Sequence, residues 1–250
     1  MNRAVYTLAS GGLAAQARLD AVTQNLANVG TAGYKAGRPI FRLHPLDVSQ
    51  LGLPEPPELR AAAQVTESET IRDFSQGPVR ATGNPLDVAV AGEGFFVVAT
   101  PRGERYTRQG SFGLDGEGYL VTEHGDRVQG DNGDLRIGTG DVAIGDDGQI
   151  SVDGISGGRL KLVGFGEHPP LMAEGNALFA PAAGAVPVPI DATATQTHVE
   201  QGSLEAANID AVKGMIELVE VSRGFEQYMH AMQRLDEIAQ RSINEVGRIG

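Results

Sequence analysis

The sequence predicts an α+β protein in which long N- and C-terminal helices pair as a coiled-coil-like core domain, with a central all-β domain between them. Apolar residues recur at alternating spacings of four and three at both ends of the chain, as in a heptad pattern. Short apolar runs separated by turn dipeptides fill the middle. We therefore expect residues 1–35 with 204–250 to form the helical domain, 36–71 an extended linker and 72–203 the β domain.

The N-terminal helix is predicted over residues 1–29. Gly12 and Ala15 are small enough to let a neighbouring backbone come close. Asn28 and Gly30 favour the end of the helix, because both residue types tolerate the left-handed conformation. Its apolar stripe consists of Val5, Leu8, Gly12, Ala15, Leu19, Val22, Leu26 and Val29.

The segment after this helix is rich in proline, which predicts an extended linker. Proline lacks a backbone N–H and breaks helices. The prolines concerned are Pro39, Pro45, Pro54, Pro56 and Pro57.

Residues 72–203 have the pattern of an all-β domain built from hairpins. The segments "VAVAGEGFFVVAT" and "GYLVTEHGDRVQG" are candidate strands. Dipeptides of this kind favour tight turns because both residues tolerate a positive φ. The turn dipeptides are Asp115-Gly116, Asn132-Gly133, Asp147-Gly148 and Asp153-Gly154.

A second long helix is predicted over residues 204–250. Asn208 is suited to the N-cap and Asp210 to the first turn, while Gly247 favours the end. The apolar stripe repeats the spacing of the first helix. It consists of Leu218, Val221, Phe225, Tyr228, Met232, Leu235, Ala239, Ser242 and Val246.

The two stripes leave two interpretations open. Chain termini are often close in space, so the simplest inference is that the two helices pair. They then either brace the β domain as an intramolecular hairpin or serve an assembly of several subunits. Periodicity does not distinguish between these alternatives.

Composition excludes several classes of function. The net charge of −12 disfavours binding to nucleic acid. The absence of cysteine excludes disulfide scaffolds and thiol catalysis. No run of 18 apolar residues predicts a membrane span. A cleaved signal peptide is not expected, since Ser10, Gly11 and Gly12 interrupt the N-terminal apolar run.

No catalytic, cofactor or metal site is expected from the motifs. "GEGFFV" and "GLDGEGYL" precede no predicted helix and complete no phosphate-binding pattern. "DNGD" lacks the ligand spacing of a calcium loop. The histidines do not fall in metal-ligand spacing; they are His44, His124, His168, His198 and His230.

Three blocks of the sequence resemble the flagellar axial proteins of the rod and hook family. The first is the stretch "NLANVGTAGYK" with the helix before it, where the matching residues are Asn25, Leu26, Ala27, Asn28, Thr31, Gly33, Tyr34 and Lys35. The second is the β segment, which carries "TGNPLD", "GFF", "YTR" and "GYLV". The third is the C-terminal helix, where the matching residues are Leu204, Glu205, Asn208, Met215, Ile216, Arg223, Phe225 and Glu226.

The resemblance implies a structural subunit of the bacterial flagellar basal-body rod. The terminal helices would form the inner tube of the axial structure, the β domain would form its outer layer, and the assembled rod would transmit torque across the periplasm. The implied partners are other rod proteins, copies of the chain itself and the flagellar type III export apparatus. Export without a cleaved signal peptide is implied as well, with neither nucleic-acid binding nor membrane insertion.

The residues that we expect at subunit interfaces are those of the two stripes and two asparagines of the first block. They are Val5, Leu8, Gly12, Ala15, Leu19, Val22, Asn25, Leu26, Asn28, Val29, Leu218, Val221, Phe225, Tyr228, Met232, Leu235, Ala239 and Val246. A distal-rod or hook-type member of the family is the alternative. A secreted adhesive or carbohydrate-binding β protein is the alternative from another class, but it leaves the two heptad stripes unexplained.

Overall fold

The computed structural model describes residues 3–45, 63–166, 169–192 and 197–246. The middle of the predicted linker and the predicted helix stop at Gly247 lie outside these residues. The chain divides into two compact units. The helical unit comprises Met1–Ala27, Gly37–Ile71 and Asp210–Gly250, and the β unit comprises Asn28–Ala36 and Arg72–Ile209.

The chain begins with a helix and a pair of strands. They are α1 (Arg3–Ala27), β1 (Gly37–Pro45) and β2 (Ala63–Arg72). The two strands pair as a two-stranded sheet, so both described ends of the predicted linker are extended. The boundaries expected for the domains stay a prediction.

The β unit contains short strands over nearly its whole length. They are β3 (Val79–Ala81), β4 (Val88–Ala91), β5 (Phe95–Thr100), β6 (Gly103–Thr107), β7 (Phe112–Leu114), β8 (Leu120–Thr122), β9 (Arg127–Gly130), β10 (Gly133–Asp134), β11 (Val142–Ile144), β12 (Gln149–Val152), β13 (Ile155–Arg159), β14 (Leu162–Gly164), β15 (Leu171–Gly175), β16 (Leu178–Pro181), β17 (Val188–Pro189), β18 (His198–Gln201) and β19 (Ser203–Glu205). The central all-β domain expected from the sequence is therefore present. The last element is the helix α2 (Ala211–Val246).

The predicted coiled-coil-like core is wrong. The described residues contain one helix of 25 residues and one of 36, at opposite ends of the chain, and a large β-rich unit between them. Among the predicted stripe positions whose side chains the structure describes, only Gly12, Val22 and Val221 are buried. A heptad spacing places apolar residues on one side of a helix, but it does not supply the facing knobs and holes that bury a coiled-coil seam.

The largest sheet runs in the order β15-β16-β6-β5-β9-β8-β7, with β10 paired to β9 and β14 paired to both β5 and β17. Its strands pair antiparallel, and the register of β5 on β6 places Val97 opposite Tyr106. Smaller sheets join β11-β12-β13, β18-β4 and β19-β3. The last of these joins the start of the β unit to its end.

Strand β5 separates two apolar cores. Successive side chains of a strand point to opposite faces of the sheet. Phe96 and Val98 belong to a large core on one face, whereas Phe95 and Val97 belong to a smaller core on the other. Burial on both faces explains why this strand reads as the continuous apolar run "FFVV".

Three of the four turn dipeptides predicted from the sequence lie between consecutive strands of the β unit, and the glycine of Asn132-Gly133 is the first residue of β10. Asp153-Gly154 joins β12 to β13 with both residues at positive φ, at 50° and 80°. In Asn132-Gly133 and Asp147-Gly148 only the glycine has a positive φ. Across the described part of the chain, no helix is long and apolar enough to cross a membrane.

Candidate subunit-interaction surface

The two helices contact one another within the helical unit. The ring of Tyr228 lies against Gly11, where a Cβ atom would come within 2.8 Å of its Cε1. Arg18 donates a hydrogen bond to Glu217 at 2.9 Å, with both side chains about half exposed. Gly11 therefore allows the close approach that the sequence suggested for its neighbour Gly12. Gly11 is half-buried and Gly12 is buried.

The predicted interface positions on the helices are mostly half-buried in the single chain. The half-buried ones are Leu8, Ala15, Leu19, Leu26, Leu218, Phe225, Met232 and Leu235. Val29 is half-buried but follows the end of α1. Tyr228 is 37% exposed. The side chains of Val5, Ala239 and Val246 lie outside the described residues, and no observation tests these positions as subunit contacts.

A second apolar surface on α2 was missed by the sequence reasoning. Val212, Met215, Ile216 and Val219 are exposed by 62%, 50%, 56% and 50%. We call these four residues the α2 patch. Their spacing of three, one and three places them on one side of the first two turns, and it was available in the run "AVKGMIELVEV". The stripe that begins at Leu218 has the same period, so the sequence pattern did not distinguish the α2 patch from it.

Exposed apolar side chains also occur elsewhere on the two helices. Leu13 on α1 is 67% exposed, and Met229 and Ile238 on α2 are 42% and 59% exposed. Clustered exposed apolar residues on a protein surface mark contacts with other molecules, since leaving them in water is unfavourable. The helices thus present apolar surface that the described part of the chain leaves exposed.

An open groove of about 550 Å³ lies between the N-terminal part of α1 and the C-terminal half of α2. It is lined by Leu8, Gln227, His230, Ala231, Arg234 and Leu235. The groove combines apolar side chains with polar ends and offers no convergent set of acid–base groups. Its chemistry fits the side of another helix rather than a small reactive substrate.

The two asparagines predicted at the interface make contacts within the chain. The side-chain amide of Asn25 donates to the carbonyl oxygen of Gly37 at 2.8 Å, and its oxygen accepts the Gly37 N–H at 2.9 Å. The Asn28 side-chain oxygen accepts a hydrogen bond from the Thr31 hydroxyl at 3.3 Å. Both asparagines therefore shape the turn after α1, which is a structural reason for their place in "NLANVGTAGYK".

A buried ionic cluster was also missed by the sequence reasoning. Glu205 accepts hydrogen bonds from the Lys35 ammonium at 2.6 Å and from the Arg108 guanidinium at 3.0 Å. The side chains of Lys35 and Glu205 are fully buried, and that of Arg108 is 5% exposed. We call these three residues the ionic triad. Its members are too far apart in the chain for any spacing rule to pair them.

Burial lowers the pKa of both cations of the ionic triad. Burial lowers the pKa of the Lys35 ammonium, while the Glu205 charge and hydrogen bond oppose that decrease. Burial likewise lowers the pKa of the Arg108 guanidinium, and Glu205 again opposes it. In both cations the largest cause of the lowered pKa is burial within the fold, and the contact with Glu205 is the main opposing one.

The motif "TGNPLD" forms a hydrogen-bonded loop. Asp87 is buried and accepts hydrogen bonds from the Thr82 hydroxyl at 2.7 Å and the Asn84 side-chain amide at 2.9 Å. The carbonyl oxygen of Asp87 accepts the Gly202 N–H at 2.7 Å. These residues hold the loop against the end of the β unit, which accounts for the motif without a ligand.

Comparison with protein-family profiles matches three parts of the chain. Residues 5–35 match the flagella basal body rod protein profile. Residues 89–152 match the D1 domain of the flagellar hook proteins FlgE/F/G. Residues 200–245 match the C-terminal region of the flagellar basal body rod FlgEFG proteins. The three matches lie in the chain order of the three blocks found by sequence reasoning.

Similar proteins match along nearly their whole length. The flagellar basal-body rod protein FlgF of Caulobacter vibrioides is 32% identical, with 100% of each chain covered. The rod protein FlgG of Agrobacterium fabrum is 31% identical over 95% of this chain and 97% of its own. FlgG of Bacillus subtilis is 30% identical over 98% of this chain and 99% of its own.

Both terminal helices carry exposed apolar side chains among the described residues. The buried charged residues of the β unit pair with one another within the fold. These two features are typical of structural subunits that assemble with other subunits. The chain belongs to the flagellar basal-body rod family. The family predicted from the three sequence blocks is thereby confirmed, together with the role of structural rod subunit. This is a family of structural proteins and not of enzymes.

Proposed function

We propose that the chain polymerises through its terminal helices into the periplasmic drive shaft of the flagellum. The observation that carries this proposal is the exposed apolar surface on both helices, above all the α2 patch, whose four side chains are each at least 50% exposed. Burying a large apolar side chain contributes roughly 1.5–3 kcal/mol. Repeated contacts between unlike surfaces of identical or related subunits build a helical assembly.

The proposed interface combines the α2 patch with the half-buried stripe residues. Most stripe residues on α1 and α2 are half-buried in the single chain. Contact with a neighbouring subunit would complete their burial. Each residue of the α2 patch is at least 50% exposed among the described residues, so a neighbouring subunit would bury further apolar surface there. The 18 positions expected from the sequence stay part of this proposal, now extended by Val212, Met215, Ile216 and Val219.

The partners proposed are other rod proteins on both sides of the subunit, together with copies of the chain itself. Delivery through the flagellar type III export apparatus, without a cleaved signal peptide, belongs to the same proposal. The apolar run at the N-terminus is interrupted at Ser10, Gly11 and Gly12, and these residues lie inside α1.

Among the rod proteins, we infer an FlgF-type subunit rather than a distal-rod FlgG or a hook-type protein. The chain and the Caulobacter FlgF cover one another completely, at 32% identity. The proline-rich segment after α1 and the motif "NEVGRIG" favour the same assignment. Cross-linking in intact basal bodies from the source bacterium, followed by mass spectrometry, identifies the neighbours and decides between these subunits.

The interface is tested by introducing a charge at the centre of the α2 patch. Val219→Asp should fold normally, because Val219 is 50% exposed and the carboxylate stays hydrated in the free chain. In the rod the same carboxylate would be buried without a partner, at a cost of several kcal/mol. We expect a strain that produces only this variant to lack assembled rods and motility.

Two further variants control this experiment. Gln233→Asp adds the same charge at an exposed position of α2 outside the patch and should leave motility intact. Leu26→Asp changes a half-buried stripe residue beside Gly214 of α2 and should destabilise the helical unit of the free chain. Normal motility with Val219→Asp would refute the α2 patch as the assembly surface.

A further inference from the structure

Two segments that lead to the terminal helices lie side by side within the β unit. Residues 33–36 follow the end of α1, and residues 205–208 precede the start of α2. The Gly33 N–H donates to the Glu205 carbonyl oxygen at 2.8 Å, and the Ala36 N–H donates to the Asn208 side-chain oxygen at 2.8 Å. The two segments that lead to the terminal helices are therefore hydrogen-bonded to one another within the β unit.

Glu205 connects these two segments to the rest of the β unit. One carboxylate oxygen accepts the Lys35 ammonium at 2.6 Å and the Gly77 N–H at 2.8 Å, and the other accepts Arg108 at 3.0 Å. The Lys35 ammonium also donates to the Ser75 carbonyl oxygen at 2.7 Å. Four stretches of chain thus meet at a single buried carboxylate.

Further bonds surround the ionic triad. The Arg72 guanidinium donates to the Lys35 carbonyl oxygen at 3.0 Å and to the Tyr34 hydroxyl at 3.1 Å. The side-chain amide of Asn208 donates to the Asp73 carbonyl oxygen at 2.8 Å. We use the term joint for residues 33–36, 72–77, 108 and 205–208 taken together.

A buried ionic cluster contributes little net stability compared with apolar residues of the same size, because desolvation offsets the attraction between the charges. Removal of one member is strongly destabilising, since a buried charge is left without its partner. The three charges of the ionic triad are therefore all paired only when the chain segments that carry them are in their folded positions. This property suits a connection that keeps two chain segments in fixed positions, and it adds little to the free energy of unfolding compared with an apolar cluster.

We propose that Lys35, Arg108 and Glu205 are positioning residues of a force-bearing joint, which holds the segments leading to α1 and α2 at fixed places on the β unit. The proposal rests on the proposed role of the rod as a drive shaft. Torque that enters through the helices passes into the β unit along backbone segments that the joint holds together, namely residues 33–36, 72–77 and 205–208. The joint keeps these segments from separating under load, and its central charged side chains are buried within the single chain.

The first test measures amide hydrogen exchange by NMR on the purified full-length chain. Glu205→Gln removes the central charge, and Asn208→Ala removes neighbouring bonds without leaving a buried charge unpaired. In both variants we expect the amide of Gly33, which donates to a backbone oxygen that both variants keep, to exchange at least about tenfold faster. The amide of Ala36 is followed only in Glu205→Gln, because Asn208→Ala removes its acceptor. The reference amides of Leu120 and Ile137, which donate to Leu135 and Gly118, should change by less than about twofold.

A matched control separates local opening from general loss of stability. Val128→Ala creates a cavity in the large core, at a fully buried residue outside the joint. It should speed exchange at the reference amides at least as much as at the joint. Equal acceleration of joint and reference amides in Asn208→Ala would overturn the proposal. If Glu205→Gln does not fold, Asn208→Ala carries the test alone.

The second test applies load to the assembled rod. A motile strain complemented with Asn208→Ala should swim as fast as wild type in dilute medium and lose speed disproportionately as viscosity rises. Val128→Ala should follow the wild-type curve. A wild-type curve for Asn208→Ala would overturn the force-bearing role. The exchange result does not depend on the α2 patch, so failure of the Val219→Asp experiment and failure of the joint are distinguishable.

Discussion

Gly30 and Gly33 lie three residues apart in the same motif, yet the structure predicts opposite consequences for the same substitution. Gly33 has a φ of +68°, and a Cβ atom there would collide with the backbone of Arg108 and Gln109, including a 2.7 Å approach to the Arg108 carbonyl oxygen. At Gly30 a Cβ atom would meet nothing within 4 Å, and φ is not in the left-handed region.

The magnitude for Gly33→Ala follows from two separate costs. The left-handed conformation costs a residue with a Cβ about 1–2 kcal/mol. Overpacking against atoms that cannot move away adds about 1–3 kcal/mol. We therefore expect Gly33→Ala to lower the free energy of unfolding by about 2–5 kcal/mol, a large part of the roughly 5–15 kcal/mol typical of a folded protein.

Gly30→Ala should instead be neutral or stabilise by about 0.4–1 kcal/mol, because alanine restricts the unfolded chain without straining the folded one. The assay is urea denaturation of the full-length variants followed by far-ultraviolet circular dichroism. The difference in midpoint at unchanged slope gives the change in the free energy of unfolding. A cost at Gly30 equal to that at Gly33, or no cost at Gly33, would refute the close approach of this segment to Arg108 and Gln109.

Two further predictions concern turns of the β unit. Ala177 has a φ of 54° in the turn between β15 and β16; Ala177→Gly should raise the free energy of unfolding by about 1 kcal/mol in urea denaturation, and a decrease would contradict this strain. Hydrogen bonds from the backbone amides of Tyr119 and then Glu117 lower the pKa of the Asp115 carboxyl below its ordinary value of 3.8. Ionised Asp115 thus stabilises the fold above that pH, and the benefit disappears as pH falls through the lowered pKa. Asp115→Asn should melt earlier than wild type at neutral pH and converge with it in acid; a gap that does not change with pH would be the contradicting result.

Several features of this protein were predictable because their signals are local. The period of apolar residues predicted a helix at each end, and the turn dipeptides between apolar runs predicted the β unit. The motif "NLANVGTAGYK" and the two later blocks predicted the family, which the comparisons confirmed. The turn at Asp153-Gly154 follows from two residues that tolerate positive φ, and the structure has both of them there.

The partner of each apolar surface was not predictable in the same way. Heptad spacing led to a coiled-coil-like core, and that prediction was wrong. The period of a helix tells which residues share a face, but not which other element covers that face. The α2 patch has the same period as the predicted stripe, and only the exposure of Val212, Met215, Ile216 and Val219 distinguishes the two surfaces.

The sequence by itself predicted a helix at each end, the β unit between them, several of its turns and the family, because these depend on residues that are close together in the chain. Only the tertiary structure decided which charges meet and which glycines are irreplaceable. Lys35 and Glu205 are 170 residues apart in the chain and 2.6 Å apart in the fold. Gly33 and Gly30 differ through the backbone near Arg108, which no local pattern connects to them. Such contacts arise when distant segments are brought together, so they follow from the folded topology and not from neighbouring residues.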